Sequence, residues 1–314
     1  MEYRRLGNAG LQLSAIGLGT NNFGMRIDEA QAARVVHQAL EVGINHIDTA
    51  FSYGGGKSEE MIGKALRGKR QQAVVATKFA NATAPGPNNH SPSRRLMMEQ
   101  LETSLRRLQT DYVDLYWLHY PDPDYSTPIE ETLRAMDDMV RAGKIRYIGC
   151  SNFDTWRACE AEWTARVHNL NRFTAVQNHY NLLKRDAERD LAPFCRTYGV
   201  GLVPYFPLAS GFLTGKYRKG EAPPPDTRGE KMPRLMQSFT TDAGWAKLEG
   251  LQKFAQERGR TVGELAHAWL LAQPAVCSVI TGATRPEQVA ENVKGVDWKL
   301  SADDLQKIDA VCPA

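Results

Sequence analysis

Residues 44–78 read INHIDTAFSYGGGKSEEMIGKALRGKRQQAVVATK. Two short apolar, β-branched runs, 44–48 and 73–78, flank a stretch at 58–66 whose apolar residues recur at helical spacing, with Ser58 placed to open it. Strand, helix and strand in that order form a βαβ unit, whose two strands run parallel. The same alternation continues in both directions. Further candidate strands lie at 13–18, 112–118, 145–150, 173–178, 201–205 and 278–281, and further helical stretches at 28–42, 92–108, 128–142, 155–167, 184–198 and 262–272. Several of these begin at Ser, Asp, Thr or Pro, residues that start helices well.

Eight such repeats can close into a (β/α)8 barrel of the α/β class. An open doubly wound sheet is the rival, but no G-x-G-x-x-G follows the first strand and no break in composition divides the chain in half. Residues 1–314 are therefore read as one barrel domain. Residues 2–14, with turn residues Asn8, Ala9 and Gly10, predict a β-hairpin capping the barrel floor. After Tyr205 no helix is expected until about Asp242. That segment holds Gly211, Gly215, Pro223, Pro224, Pro225 and Gly229 with the cations Lys216, Arg218, Lys219, Arg228, Lys231 and Arg234. Structureless loops of this length are usually functional lids or disordered segments, and a basic one after the seventh strand suits a ligand that carries phosphate.

Composition narrows the classes of function. With 42% hydrophobic and 24% charged residues in 314, disorder, collagen-like repeats and coiled coils fit poorly. A net charge of only +3 argues against nucleic acid or a membrane surface as partner. Cys150, Cys159, Cys195, Cys277 and Cys312 contain no C-x-x-C pair, so neither a disulfide framework nor a zinc site is expected. No apolar leader follows Met1 and no run of about 18 apolar residues occurs, which points to a reduced, cytoplasmic protein. His46, His90 and His179 lack metal-ligand spacing, and no metal is expected. Cys150 reads as a structural thiol, while Met97, Met98 and the six tryptophans, Trp269 among them, read as packing residues.

Barrel chemistry sits where strands end, so the polar residues at those points belong together. The second strand ends in Asp48 and its loop carries Tyr53; the third ends in Lys78 and the fourth in His119. Ser151 and Asn152 follow the fifth, Gln177 and Asn178 end the sixth, Tyr205 ends the seventh, and Thr281, Gly282, Ala283 and Thr284 follow the eighth. Singly, each has a plain structural role as a cap, a solvated charge or a satisfied core residue. Packing gives no reason for Asp, Lys, Tyr and His to converge on one mouth. Proton donation to a carbonyl oxygen does. A phenol is a poor acid at neutral pH unless a cation stabilises its phenolate, and Lys78 can supply that cation. Asp48 would keep the ammonium charged, and His119 would hydrogen-bond the substrate oxygen and share in proton transfer.

These stretches resemble the aldo-keto reductases over nearly the whole chain. Residues 43–54 with Lys57, Ser58, Glu59 and Glu60 look like the segment that carries the family's catalytic Asp and Tyr, residues 75–78 its lysine segment, and residues 114–119 its histidine segment. The resemblance implies Asp48, Tyr53, Lys78 and His119 as the catalytic set. It also implies a dinucleotide held extended across the barrel, which accounts for the missing glycine-rich fingerprint. Ser151, Asn152 and Gln177 match the positions that hold the nicotinamide carboxamide, and Tyr205 the ring stacked upon it. Pro207, Leu208, Ser210, Gly211, Leu213 and Lys216 fall on the pyrophosphate loop, and Gly282, Thr284, Gln288, Glu291 and Asn292 at the adenosine end. Gly19, Thr20, Asn21 and Asp48 complete the cofactor positions.

The resulting expectation is a reductase that uses NADPH, with NADH second, to turn an aldehyde or ketone into an alcohol with Tyr53 as general acid. Many relatives place an arginine where Gln288 stands; here Arg285, at the start of the following helix, would meet the 2′-phosphate together with that helix's free N–H groups. Asn22, Phe23, Phe51, Phe79, Tyr120 and the segment after Tyr205 are expected to line the substrate pocket, whose aromatic character suits an apolar or aromatic carbonyl. Two alternatives belong to other classes: a nucleotide-binding redox sensor or regulatory subunit resembling the channel-associated members, and a Schiff-base aldolase using Lys78.

Overall fold

The computed structural model describes residues 1–80, 92–124, 126–225 and 227–314. An antiparallel hairpin comes first, β1 (Tyr3–Arg5) on β2 (Gln12–Ser14). The parallel strands follow: β3 (Ile16–Gly19), β4 (His46–Asp48), β5 (Val74–Phe79), β6 (Val113–Leu118), β7 (Ile145–Ser151), β8 (Ala175–His179), β9 (Gly201–Tyr205) and β10 (Val279–Gly282). Because β10 pairs with β9 on one side and β3 on the other, the sheet closes into an eight-stranded barrel. The barrel and hairpin expected from the sequence are what the chain builds.

Helices join the strands: α1 (Glu29–Glu41), α2 (Lys57–Ala65), α3 (Arg94–Leu108), α4 (Ile129–Arg141), α5 (Thr155–Val167), α6 (Leu191–Tyr198), the single turn α7 (Arg228–Lys231), α8 (Asp242–Gln256), α9 (Val262–Leu271), α10 (Pro286–Asn292) and α11 (Ala302–Val311). Among the described residues, no helix is long and apolar enough to cross a membrane.

Alternation along each strand sorts the core into two layers. On β6, Tyr116 and Leu118 face the helices, whereas Leu115 and Trp117 join Ala76, Ala175 and Val203 inside the barrel. Leu6 and Leu13 from the hairpin belong to that inner cluster, and the Asn8 amide donates to the Gly199 carbonyl at 2.8 Å, so the hairpin seals the floor.

Four local expectations change. Residues 13–18 form two strands, because the Ser14 hydroxyl donates to the Ile16 carbonyl (2.7 Å) and accepts from the Asn45 amide (3.1 Å), turning the chain from the hairpin into the barrel. Residues 184–198 give only a 3-10 turn, Asp186–Glu188, and then α6, since Pro193 lacks an N–H and is tolerated only in a first helical turn. The segment after β9 is not structureless: it contains 3-10 turns at Ala209–Thr214 and Pro233–Leu235 around α7, and the buried Tyr217 hydroxyl accepts from the Gly229 amide (3.1 Å). Helix α11, absent from the expected set, is opened by a capping box between Ser301 and Asp304.

Trp117 lies inside the barrel and Trp269 in the outer core, but Trp156 and Trp163 are half-exposed on α5 rather than packed away. Position 90 lies outside the described residues. All five cysteines are free thiols.

Gly149 faces Trp117 across the β6–β7 ladder, and a Cβ there would come within 2.4 Å of the indole and 2.8 Å of the Ala175 carbonyl. Gly149→Ala should therefore cost about 1–3 kcal/mol by overpacking, read as a lower urea midpoint. An unchanged midpoint would mean that Trp117 moves aside freely.

Candidate active site

Asp48 is the last residue of β4, and Lys78 stands on β5 on the inward face that Ala76 shares. Tyr53 opens the 3-10 turn Tyr53–Gly56 in the connection between β4 and α2. That turn needs Gly54: its φ is +59°, and a Cβ would come within 2.6 Å of the Phe23 carbonyl. His119 follows β6. The Lys78 ammonium, fully buried, is ion-paired with Asp48, donates to the Thr49 carbonyl at 2.8 Å and reaches the Tyr53 hydroxyl at 3.4 Å. The His119 and Tyr53 rings meet edge-on, centroids 6.0 Å apart, and Tyr120 stacks on His119 at 4.5 Å.

A second set of bonds ties these groups to the neighbouring strands. Gln177 donates to the other oxygen of Asp48 (2.9 Å). The Asn152 amide donates to the His119 carbonyl (2.9 Å) and to Ser151 Oγ (3.1 Å), and its oxygen accepts from the Tyr205 hydroxyl (2.7 Å). Ser151 in turn donates to the Gln177 carbonyl (2.8 Å). Behind the mouth, Ser58 shares hydroxyl contacts with Thr49 (2.8 Å) and Thr20 (3.0 Å), while buried Glu59 accepts from Thr77 (2.6 Å) and pairs with Arg107 (3.0 Å).

Electrostatics give each group a protonation state. Burial pushes the Tyr53 phenol up; the Lys78 ammonium pulls it back only in part, so the phenol lies above its ordinary value rather than below it. This corrects the expectation of a simply acidified tyrosine. Burial would lower Lys78, but Asp48 and Tyr53 more than offset it and the ammonium is held charged. Such a lysine is no Schiff-base nucleophile. Burial, helped by Lys78, takes His119 down to about 3, so its imidazole is neutral across the ordinary pH range. Burial likewise raises Cys150 well above an ordinary thiol.

Asp48, Tyr53 and His119 line a cavity of about 1490 Å³, beneath which Lys78 is buried. Gly19, Thr20, Asn21, Ser151, Asn152, Gln177, Tyr205, Pro207, Leu208, Ser210, Gly211, Lys216, Gly282, Thr284, Gln288, Glu291 and Asn292 line the same cavity. Leu213 does not; its side chain is fully buried in the outer core. Of the expected pocket residues, Asn22 and Tyr120 line the wall, Phe23 and Phe79 are core residues, and Phe51 packs under Arg107 at 4.4 Å.

Arg26, Arg228 and Lys231 are further wall residues. Sequence pointed to the last two only as part of a basic loop, and nothing in it singled out Arg26. Burial and the nearby Arg26 guanidinium both depress Arg228. Among the described residues, Lys216, Arg228 and Arg285 have no carboxylate partner, which leaves the wall cationic where the loop after β9 and the β10–α10 connection face it. At that connection Gln288 accepts from the Thr284 amide (2.8 Å), and α10 begins at Pro286, which has no N–H to offer an anion.

Residues 15–312 match the model of the Aldo/keto reductase family. The chain belongs to this family. It is 38% identical to a rice (Oryza sativa subsp. japonica) protein named as a probable voltage-gated potassium channel subunit beta, over 99% of this chain and 96% of the relative. It is 35% identical to the aldo-keto reductase YhdN of Bacillus subtilis (strain 168), covering 99% and 93% of the two chains. Identity to the L-glyceraldehyde 3-phosphate reductase of Escherichia coli (strain K12) is also 35%, over 98% and 92%. Family and reductase-named relatives together make this chain an oxidoreductase of the aldo/keto reductase type.

Four buried or half-buried histidines resist protonation: His46, His179 and His267 are lowered to about 4 and His119 to about 3, in each case first by burial. The unfolded chain binds these protons near pH 6.5, so the stabilisation is complete above that pH and declines as pH falls toward 4. Each histidine should add a slope of up to about 1.4 kcal/mol per pH unit in that window. The check is the urea midpoint between pH 7 and pH 5; a flat profile would contradict it.

Proposed function

We propose that the protein reduces a carbonyl group, aldehyde or ketone, to the alcohol with NADPH as cofactor and Tyr53 as the proton donor. The observation that carries this reading is one buried ammonium, Lys78, joined to both Asp48 and the Tyr53 hydroxyl beneath a large cavity. The residues present fit a dinucleotide: Ser151, Asn152 and Gln177 stand beside Asp48 and His119, Lys216 and Arg228 bring cationic charge from the loop after β9, and Thr284 and Gln288 stand at the β10–α10 connection. When bound, the reduced nicotinamide supplies the hydride.

The chain's own residues do the rest. Tyr53 gives its hydroxyl proton to the carbonyl oxygen, and the phenolate left behind is paired with the Lys78 ammonium. Asp48 keeps that ammonium charged and, with Gln177, fixed in place. His119 donates a hydrogen bond to the same oxygen, which gathers charge as the bond order falls. Tyr53, Tyr120 and Phe206 on the wall support an apolar or aromatic carbonyl, and the free thiols suit a reducing cytoplasm. Arg285, exposed on the wall, favours a 2′-phosphate and so NADPH over NADH. Nucleotide sensing with little turnover is the second reading; it draws on the likeness to a protein named as a channel subunit. Negligible reduction across aldehydes, ketones and quinones, despite tight nucleotide binding, would favour it.

Tyr53→Phe keeps the ring and removes the proton. It should lower kcat by about 10²- to 10⁴-fold and leave nucleotide affinity nearly unchanged; a variant retaining half the wild-type rate would exclude Tyr53 as the donor.

Arg285→Ala should reduce the NADPH-to-NADH ratio of kcat/KM by about tenfold, the size of one charge-assisted contact. A wild-type preference for NADH, or a ratio indifferent to Arg285, would defeat the cofactor assignment.

A further inference from the structure

The mechanism leaves His179 unused. It is the last residue of β8, paired in register with Tyr205 at the end of β9. Its imidazole lies nearly parallel to the Tyr205 ring, with centroids 5.4 Å and planes 21° apart, and it is not among the residues that line the cavity with Tyr205. It therefore backs that ring from the side away from the cavity. Phe206 and Phe239 meet the imidazole edge-on at 5.6 and 6.3 Å, the latter from the far end of the long segment after β9.

Asn181 sets the orientation. Its side chain is fully buried, and its oxygen accepts from the Leu183 amide (2.9 Å), which identifies the NH₂ group as the half that donates to the Phe206 carbonyl (2.8 Å) and to His179 Nε2 (3.1 Å). An accepting Nε2 makes the imidazole neutral, with its proton on Nδ1. Phe206 needs this support, since its φ of +54° is one that a bulky residue rarely adopts. Tyr205 is thus held at its hydroxyl by Asn152, along the chain by the fixed Phe206 backbone, and behind its ring by His179.

We propose that His179 is a positioning residue that fixes the plane of Tyr205, making the cavity-side face of that ring a flat platform for a planar heteroaromatic ring, the nicotinamide end of the dinucleotide. The platform rests on the cofactor reading given above. Stacked aromatic contacts of this kind repay a rigid partner, because a ring free to rotate loses part of the contact and of the entropy on binding.

The test compares two ligands on the whole protein by quenching of intrinsic fluorescence: NADP⁺, and adenosine 2′,5′-bisphosphate, which lacks the nicotinamide. His179→Leu should weaken NADP⁺ about three- to tenfold and leave the bisphosphate within about twofold. His179→Phe keeps an aromatic ring and should retain most of the wild-type affinity. His179→Gln keeps an acceptor for Asn181 and loses only the ring, so it should show the same selective loss as Leu and stands in for it if the Leu variant does not fold. Equal weakening of both ligands, or no weakening of NADP⁺ in either variant, would overturn the proposal. Failure of the wild-type protein to bind either ligand would instead overturn the cofactor reading, and the platform with it.

Discussion

One buried ion pair sets the terms for the rest of the barrel mouth. Lys78 and Asp48 come from neighbouring strands and meet where water is excluded, and charges taken out of water cost several kcal/mol each unless hydrogen bonds complete them. Here the Thr49 carbonyl and the Tyr53 hydroxyl take up Lys78, and Gln177 satisfies the second oxygen of Asp48. Stranding either partner alone would cost about 3–5 kcal/mol, so β4, β5 and β8 are fixed relative to one another by the same contact that reaches the Tyr53 hydroxyl, the proposed proton donor. Stability and chemistry make the same demand at this point.

Asn152 extends the constraint. With φ at +60° it presents its amide to three groups at once, the His119 carbonyl, Ser151 and the Tyr205 hydroxyl. From Asp48 on β4 to Tyr205 on β9, six consecutive strands are therefore linked across their ends by side chains as well as by the sheet. The Tyr53 balance follows from this enclosure: burial favours the neutral phenol and Lys78 favours the phenolate, so the hydroxyl stays protonated at rest while the charge it would leave behind already has a partner.

The barrel was legible because strand and helix periods differ and alternate along the chain, and the site because Asp48, Lys78 and His119 break apolar strands at their ends, where packing does not ask for charge. Boundaries were harder. Ser14 divides a mostly apolar run through its hydroxyl contacts, and Pro193 postpones α6 within a stretch of otherwise helical period. Phe23 and Phe79 look like pocket residues by position but are core: Phe79 because it takes the outward face of β5, opposite Lys78, and Phe23 because the loop after β3 turns its ring into the same outer core. The bond from Gln177 to Asp48 depends on contact between β8 and β4, four strands apart in order, and the pairing of Glu59 with Arg107 on contact between the neighbouring helices α2 and α3. Such contacts leave no local trace. The capping box of Ser301 and Asp304, by contrast, is a local pattern that the sequence itself carries.

Closure of the barrel has a consequence for its biosynthesis. Strand β3 emerges first among the barrel strands but finds its second neighbour only in β10, when Val279 pairs with Ile16 and Ser278 donates to the Ser14 carbonyl while accepting from His46. Until then β3 and the growing end of the sheet present unpaired parallel edges, the kind of surface on which other chains assemble. Contacts this distant in sequence slow folding, and partly folded chains of this size aggregate through such edges. The hazard is therefore greatest on the ribosome, before Gly282 has emerged, and a chain stopped short of that residue is left with an open sheet rather than a smaller barrel.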